Sequence, residues 1–201
     1  MRKITLYLML LALGFVVSSC YPDPTIYTED LDLVYTNYDD QFNFKAFKTY
    51  AMPDSIVEVV REISSPEDLE FLGEPYNSQI LKSIEDNMAA FGWQRVEDPE
   101  QADLVLLPAA WTNTTVVYWY DYWCWYYYYG CGWGYYPPYY TTSYTTGTLV
   151  MGLIQGGSDQ YGPKKVWGGA VNGVLTGTLK IDRVTKGVNQ AFTQSPYLNL
   201  N

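Results

Sequence analysis

Between Tyr118 and Tyr144, 16 of 27 residues are tyrosine or tryptophan, and from residue 104 to 158 the only charged side chain is Asp121. At about 150 Å² or more per ring, this tract fully exposed would present on the order of 2,400 Å². The largest apolar patch of a monomer is typically about 300–600 Å². The rings must therefore cover each other, a sheet, a protein partner, a glycan or a membrane surface. Tyr118, Tyr120 and Tyr122 alternate with Trp119, Asp121 and Trp123, as a self-packed, two-faced hairpin would. Tyr and Trp are also enriched at interface cores, suit the flat faces of sugars and settle at lipid headgroups. Gly130, Gly132, Gly134 and the pair Pro137-Pro138 end any strand. We therefore expect a projecting hairpin, packed near Trp119 and Trp123 and at least partly exposed from Trp125 to Tyr140. Its candidate binding residues are Trp119, Trp123, Trp125, Tyr126, Tyr128, Trp133, Tyr135 and Tyr136.

The chain opens Met1-Arg2-Lys3 and then runs apolar from Ile4 to Val17, interrupted by Thr5 and Gly14. A short basic start before 14 mostly apolar residues reads as a secretory signal, too short for a comfortable membrane span. It ends Val17-Ser18-Ser19-Cys20, which resembles the lipobox of bacterial lipoproteins. That resemblance implies a signal peptide over residues 1–19, lipidation of Cys20 and membrane attachment through the lipid. Several acyl chains at about 0.8 kcal/mol per buried methylene suffice for stable anchorage. Tyr21 stands where an aspartate would favour the inner membrane, so the resemblance points to the outer membrane. Residues 20–30, acidic and broken by Pro22 and Pro24, read as the tether.

Cleavage at Cys20 leaves ten basic residues against 22 acidic ones. This balance argues against nucleic acid as a partner, since phosphate contacts need clustered Lys and Arg. There is no histidine, which removes Ser-His-Asp and Cys-His machinery and histidine metal sites. No nucleotide-binding or CxxC pattern is present, so no cofactor, metal site or catalytic residue is expected. Cys124 and Cys131, with six residues between them, form an even pair once Cys20 carries lipid. In an oxidising compartment they are expected to bridge a hairpin, a constraint of about 2.5 kcal/mol on the unfolded chain. Asp39 with Asp40, Glu97 with Asp98, and the run Glu29-Asp30-Leu31-Asp32 follow no EF-hand or paired-carboxylate spacing. They read as solvated strand ends and loops. Asp121 is isolated among aromatics, where burial would raise its pKa and a tyrosine hydroxyl would equally serve as partner.

Residues 31–201 read as one α+β domain carrying the Tyr/Trp-rich insertion at 118–144. A first strand is expected within 31–39 and a second over Thr49 to Met52, followed by an insertion at 54–75 with one short element. A helix follows, capped by Asn77 or Ser78, with Ile80, Leu81, Ile84, Met88 and Phe91 on one face and Gly92 ending it. Past the polar link at 95–101 comes a long strand or strand pair from Ala102. Residues 147–155 and 164–177 read as a hairpin, and Ile181, Val184, Val188, Ala191 and Phe192 mark a closing helix. The expected fold is a largely antiparallel sheet with two helices on one face and the projecting aromatic hairpin.

Several of these segments resemble one family. Residues 41–55, QFNFKAFKTYAMPDS, are similar to the "DFSxYKTYAW" opening of the lipoprotein family called domain of unknown function 4136. NMAAFGWQRVEDPEQADLVL resembles its helix, its "GY" and its "ADLxV" strand. GTLVMGLIQ and KKVWGGAVNGVLTG resemble its "GTLxIDLVD" and "KLVWxGxA" hairpin, and AFTQSP its closing "FP". The likeness runs from about residue 31 to 197, departing at Gly152 and Gln155, where the family has aspartates, and in a longer 54–75 insertion. It implies an envelope lipoprotein and brings no established activity. The expected function is non-enzymatic binding or scaffolding of an envelope protein through the aromatic hairpin. A glycan-binding lipoprotein is the alternative, and a two-carboxylate hydrolase a distant third.

Overall fold

Alternating apolar residues build the sheet, and the two helices follow the helical spacing of their buried positions. The computed structural model describes residues 33–59, 69–111, 147–155, 164–175 and 180–201. In chain order the elements are β1 (Leu33–Tyr38), β2 (Thr49–Ala51), β3 (Val57–Val59), β4 (Glu70–Phe71) and α1 (Tyr76–Ala90). Then come β5 (Gln94–Arg95), β6 (Leu104–Trp111), β7 (Thr148–Gln155), β8 (Lys164–Asn172) and α2 (Ile181–Thr193).

The strands form an eight-stranded sheet ordered β1-β8-β7-β6-β2-β5, with β3 also on β6 and β4 on β3. From β1 to β6 every pairing is antiparallel. The largely antiparallel expectation needs correction beyond β6: β2 and β3 pair with it in parallel, and so does β5 with β2. The reason is α1. A strand, a crossing helix and a returning strand bring the chain back in the same direction. β2 covers Leu104 and Val105 of β6, and β3 covers Ala109 to Trp111. Pro108 lies in the break between them, where a residue without an N–H is tolerated in a strand interior.

Odd and even positions of β6 and β7 serve different layers. Leu104, Leu106 and Ala110 join Leu149, Met151, Leu153, Trp167 and Val171 in one buried cluster. Ile80, Ile84 and Met88 of α1 and Val184, Val188, Ala191 and Phe192 of α2 complete it, so both helices lie on this side of the sheet. α2 approaches closely: a Cβ at Gly187 would sit 2.1 Å from Val171 Cγ1. The segment after α2 satisfies two buried indoles. Trp93 Nε1 donates to Leu198 O at 2.9 Å, and Trp167 Nε1 to Ser195 Oγ at 2.9 Å. Ser195 Oγ donates to Ala191 O and accepts from Tyr197, whose ring stacks on Tyr38.

Three local expectations change. Asn77 does not cap α1; it is buried, accepts from Ile56 N at 2.8 Å and donates to Asp54 O at 3.0 Å. The 54–75 insertion holds two strands rather than one element, β3 and β4, paired with each other. The polar link after α1 begins with β5 and continues into a 3-10 turn, Pro99–Gln101, which Asp98 caps through Glu100 N.

Candidate functional site

Asp103 gathers three short hydrogen bonds on a single carboxylate oxygen. Its Oδ2 accepts from Lys48 N at 2.9 Å, Thr49 N at 2.9 Å and Thr49 Oγ1 at 2.8 Å. Its own N–H donates back to Thr49 Oγ1 at 3.0 Å. The amides of Lys48 and then Thr49, with the Thr49 hydroxyl, hold this carboxyl below its usual pKa. The geometry fastens the start of β2 to the start of β6. It joins two segments that the sequence presents only as separate motifs, KTYA and ADL.

Of the other acidic candidates, Asp39, Asp40 and Asp98 each accept a hydrogen bond. Lys164 pairs with Asp39, whose Oδ1 also accepts from Gln41 N, and both contacts lower its pKa. Arg95 Nη2 reaches Asp54 Oδ1 at 2.5 Å and Met52 O at 3.1 Å, with Glu85 3.6 Å from Nη1. Beside this group the phenol of buried Tyr50 is pushed well above its ordinary pKa by desolvation, with Glu85 adding to the effect. Among the described residues, no three Asp, Glu, Cys or His side chains are placed to hold a metal.

One groove was not legible in the sequence. Gln79, Lys82, Ser83, Asp86 and Asn87 of α1 face Thr185 and Asn189 of α2 across a shallow space of about 610 Å³. Asn87 Nδ2 bridges the helices to Asn189 Oδ1 at 2.7 Å and also donates to Ser83 O. Lys82 and Asp86 form an i,i+4 pair at 2.8 Å. Amides, hydroxyls and one ion pair suit a polar, polyhydroxylated ligand. Its residues come from the outward positions of two helices about 100 residues apart, which no local spacing announces.

The aromatic tract is framed by the described residues. Trp111 and Thr148 are opposite each other at the shared end of β6 and β7. Gly147, at φ +83°, donates its N–H to Trp111 O at 2.7 Å, and its carbonyl accepts from Leu175 N. Trp111 and Gly147, which bracket residues 112–146, are thus joined directly. Trp119, Trp123, Trp125, Tyr126, Tyr128, Trp133, Tyr135, Tyr136, Asp121, Cys124 and Cys131 lie outside the described residues, as do Cys20 and Glu29, Asp30 and Asp32.

Comparison with known proteins bears on the whole unit. The family model described as a domain of unknown function, DUF4136, matches residues 34–197. The crystal structure of a DUF4136 family protein from Bacteroides thetaiotaomicron is similar, with TM-score 0.64 and 34% identity over 85% of this chain and 98% of that one. A PelC dodecamer from Paraburkholderia phytofirmans aligns at TM-score 0.42 and 12% identity, covering 85% and 99%. A PDZ domain protein from Parabacteroides distasonis aligns at TM-score 0.37 and 13% identity, covering 84% of this chain and 35% of that one. No curated protein matches the sequence.

Proposed function

The chain belongs to the DUF4136 family, and from that premise we propose that it is a lipid-anchored envelope protein acting without catalysis. It binds or scaffolds another envelope protein through the aromatic tract, which projects past β6 and β7. One observation carries this reading: 35 residues rich in Tyr and Trp depart and return between Trp111 and Gly147, joined by a 2.7 Å hydrogen bond. Tyr and Trp are the side chains that anchor protein interfaces. In keeping with that reading, the carboxylates of Asp39, Asp54, Asp98 and Asp103 are used in ion pairs, a cap and the clamp between β2 and β6.

The test compares capture of envelope proteins by the lipidated wild type and by a chain in which a short Gly-Ser link replaces 125–140. Specific partners are expected with the first and not with the second. Equal capture would overturn the reading. For the anchor, Cys20→Ala is expected to abolish fatty-acid labelling and correct signal cleavage, and normal labelling of that variant would exclude lipidation there.

A glycan is the second reading, favoured by the amide- and hydroxyl-lined groove between α1 and α2. Polysaccharide binding that survives removal of 125–140 but is lost in Asn87→Ala would assign it to that groove. Loss in the first variant alone would assign it to the rings.

A further inference from the structure

β1 ends one side of the sheet: it pairs with β8, and among the described residues no strand lies beyond it. Which of its backbone groups turn outward follows from one bond. Asp39 N donates to Val166 O of β8 at 2.9 Å. In an antiparallel pair, alternate residues turn both N–H and C=O toward the same neighbour. Asn37, Tyr35 and Leu33 therefore direct theirs to β8, and Tyr38, Thr36 and Val34 turn theirs outward.

The side chains follow the same alternation. Val34 packs on the helix-side cluster, and Tyr38 stacks on Tyr197. Leu33 and Tyr35 consequently point to the opposite side of the sheet, where they are 69% and 63% exposed. Soluble sheets guard such edges with a charge, a proline or a bulge. LVYTNY has no charge and no proline, and its register with β8 runs unbroken from Leu33 to Tyr38.

We infer that β1 is a pairing edge whose partner is β1 of a second copy, giving a two-fold dimer with one sheet running through both molecules. The strand is complementary to itself about a dyad at Tyr35. There Val34 of each copy faces Thr36 of the other in hydrogen-bonded pairs, which use the outward N–H and C=O groups of both. The two Tyr35 residues meet at the axis with Cα atoms about 4.5 Å apart, and an aromatic pair directly across two strands is favourable. Leu33 falls opposite Asn37, and no charge lies between them. A dyad at Thr36 would instead set Tyr35 against Asn37 and Leu33 against Asp39. An isologous contact of this kind closes at two copies. The dimer does not depend on the binding role proposed for the aromatic tract.

The experiment uses the full chain in mild detergent. Sedimentation velocity is expected to show a dimer that dissociates on dilution. Thr36→Pro deletes an outward N–H and leaves the β1–β8 hydrogen bonds in place, so it should sediment as a monomer with an unchanged far-UV spectrum. Tyr35→Lys sets like charges opposite each other at the axis and should do the same, so the test does not hang on the proline alone. Benzoylphenylalanine in place of Tyr35 should give, on irradiation, a covalent dimer with insertion within residues 33–37 of the second copy. Wild type that sediments as a monomer at every concentration would overturn the inference. So would folded variants that remain dimeric, or insertion elsewhere in the second copy or into another protein. Failure of the binding proposal would look different, since envelope capture would be unchanged by removal of 125–140 while the dimer persisted.

Discussion

The carboxylate of Asp103 does for a pair of strands what an N-cap does for a helix. It takes the first free N–H groups of β2, those of Lys48 and Thr49, and holds them beside β6, 54 and 55 residues away in sequence. Removing a comparable cap costs about 0.5–2 kcal/mol, so Asp103→Ala should lower the stability measured by urea unfolding by about 1 kcal/mol. The pH dependence has a definite sign. Because folding lowers the pKa of Asp103, its contribution is present above the unfolded value of about 3.9. It is lost as pH falls through the folded value. The gap between wild type and Asp103→Ala should therefore be widest near neutral pH and close on acidification below about pH 4. A gap independent of pH would refute the charged clamp. The sequence displayed this aspartate plainly inside ADL, yet gave no sign of its donors, because those lie across a non-local pairing.

Where an element has enough turns or alternations, the chain declares it. Ile80, Leu81, Ile84 and Met88 set α1, Val184, Val188, Ala191 and Phe192 set α2, and β7 pairs antiparallel with β8 within the two segments expected to form a hairpin. The strands β3, β4 and β5 have three, two and two residues. Nothing periodic fits in that length, and pairing with a neighbour makes them strands. Asn77 shows the same limit: cap chemistry and cross-segment bonding use the same side chain, and burial beside Ile56 decided between them. The contact of α2 with β8 gives the prediction at this scale. With 2.1 Å between a Cβ at position 187 and Val171 Cγ1, Gly187→Ala should destabilise by about 1–3 kcal/mol through overpacking, despite the better helix propensity of alanine. Adding Val171→Ala should recover part of the loss. Strict additivity in denaturant midpoints would show that the two elements are not in hard contact.

Across the whole molecule, the sequence conveyed α+β composition and the presence of both helices. It misjudged strand direction, because direction follows from where a crossing helix returns the chain. Of the candidate site it gave the tract and its composition, and the structure added the common point of exit at Trp111 and Gly147. Replacing 125–140 by a short link should then leave the thermal midpoint within a few degrees of wild type, and collapse of the fold would show those rings to be core. Non-reducing mass spectrometry of protein taken from the envelope should find the peptide spanning Cys124 and Cys131 about two mass units lighter than its reduced form, whereas two alkylatable thiols would rule out the bridge. The pairing of β1 with β8 bears on how the molecule comes into being. Tyr38 meets Trp167, 129 residues later, and at a synthesis rate of about 5–20 residues per second that interval is roughly 6–26 s. Throughout it the uncharged strand LVYTNY, with Leu33 and Tyr35 still largely exposed even in the finished domain, has no mate. The earliest described strand of this sheet is thus among the last to be paired, and until β8 arrives it offers the unpaired edge through which chains join one another.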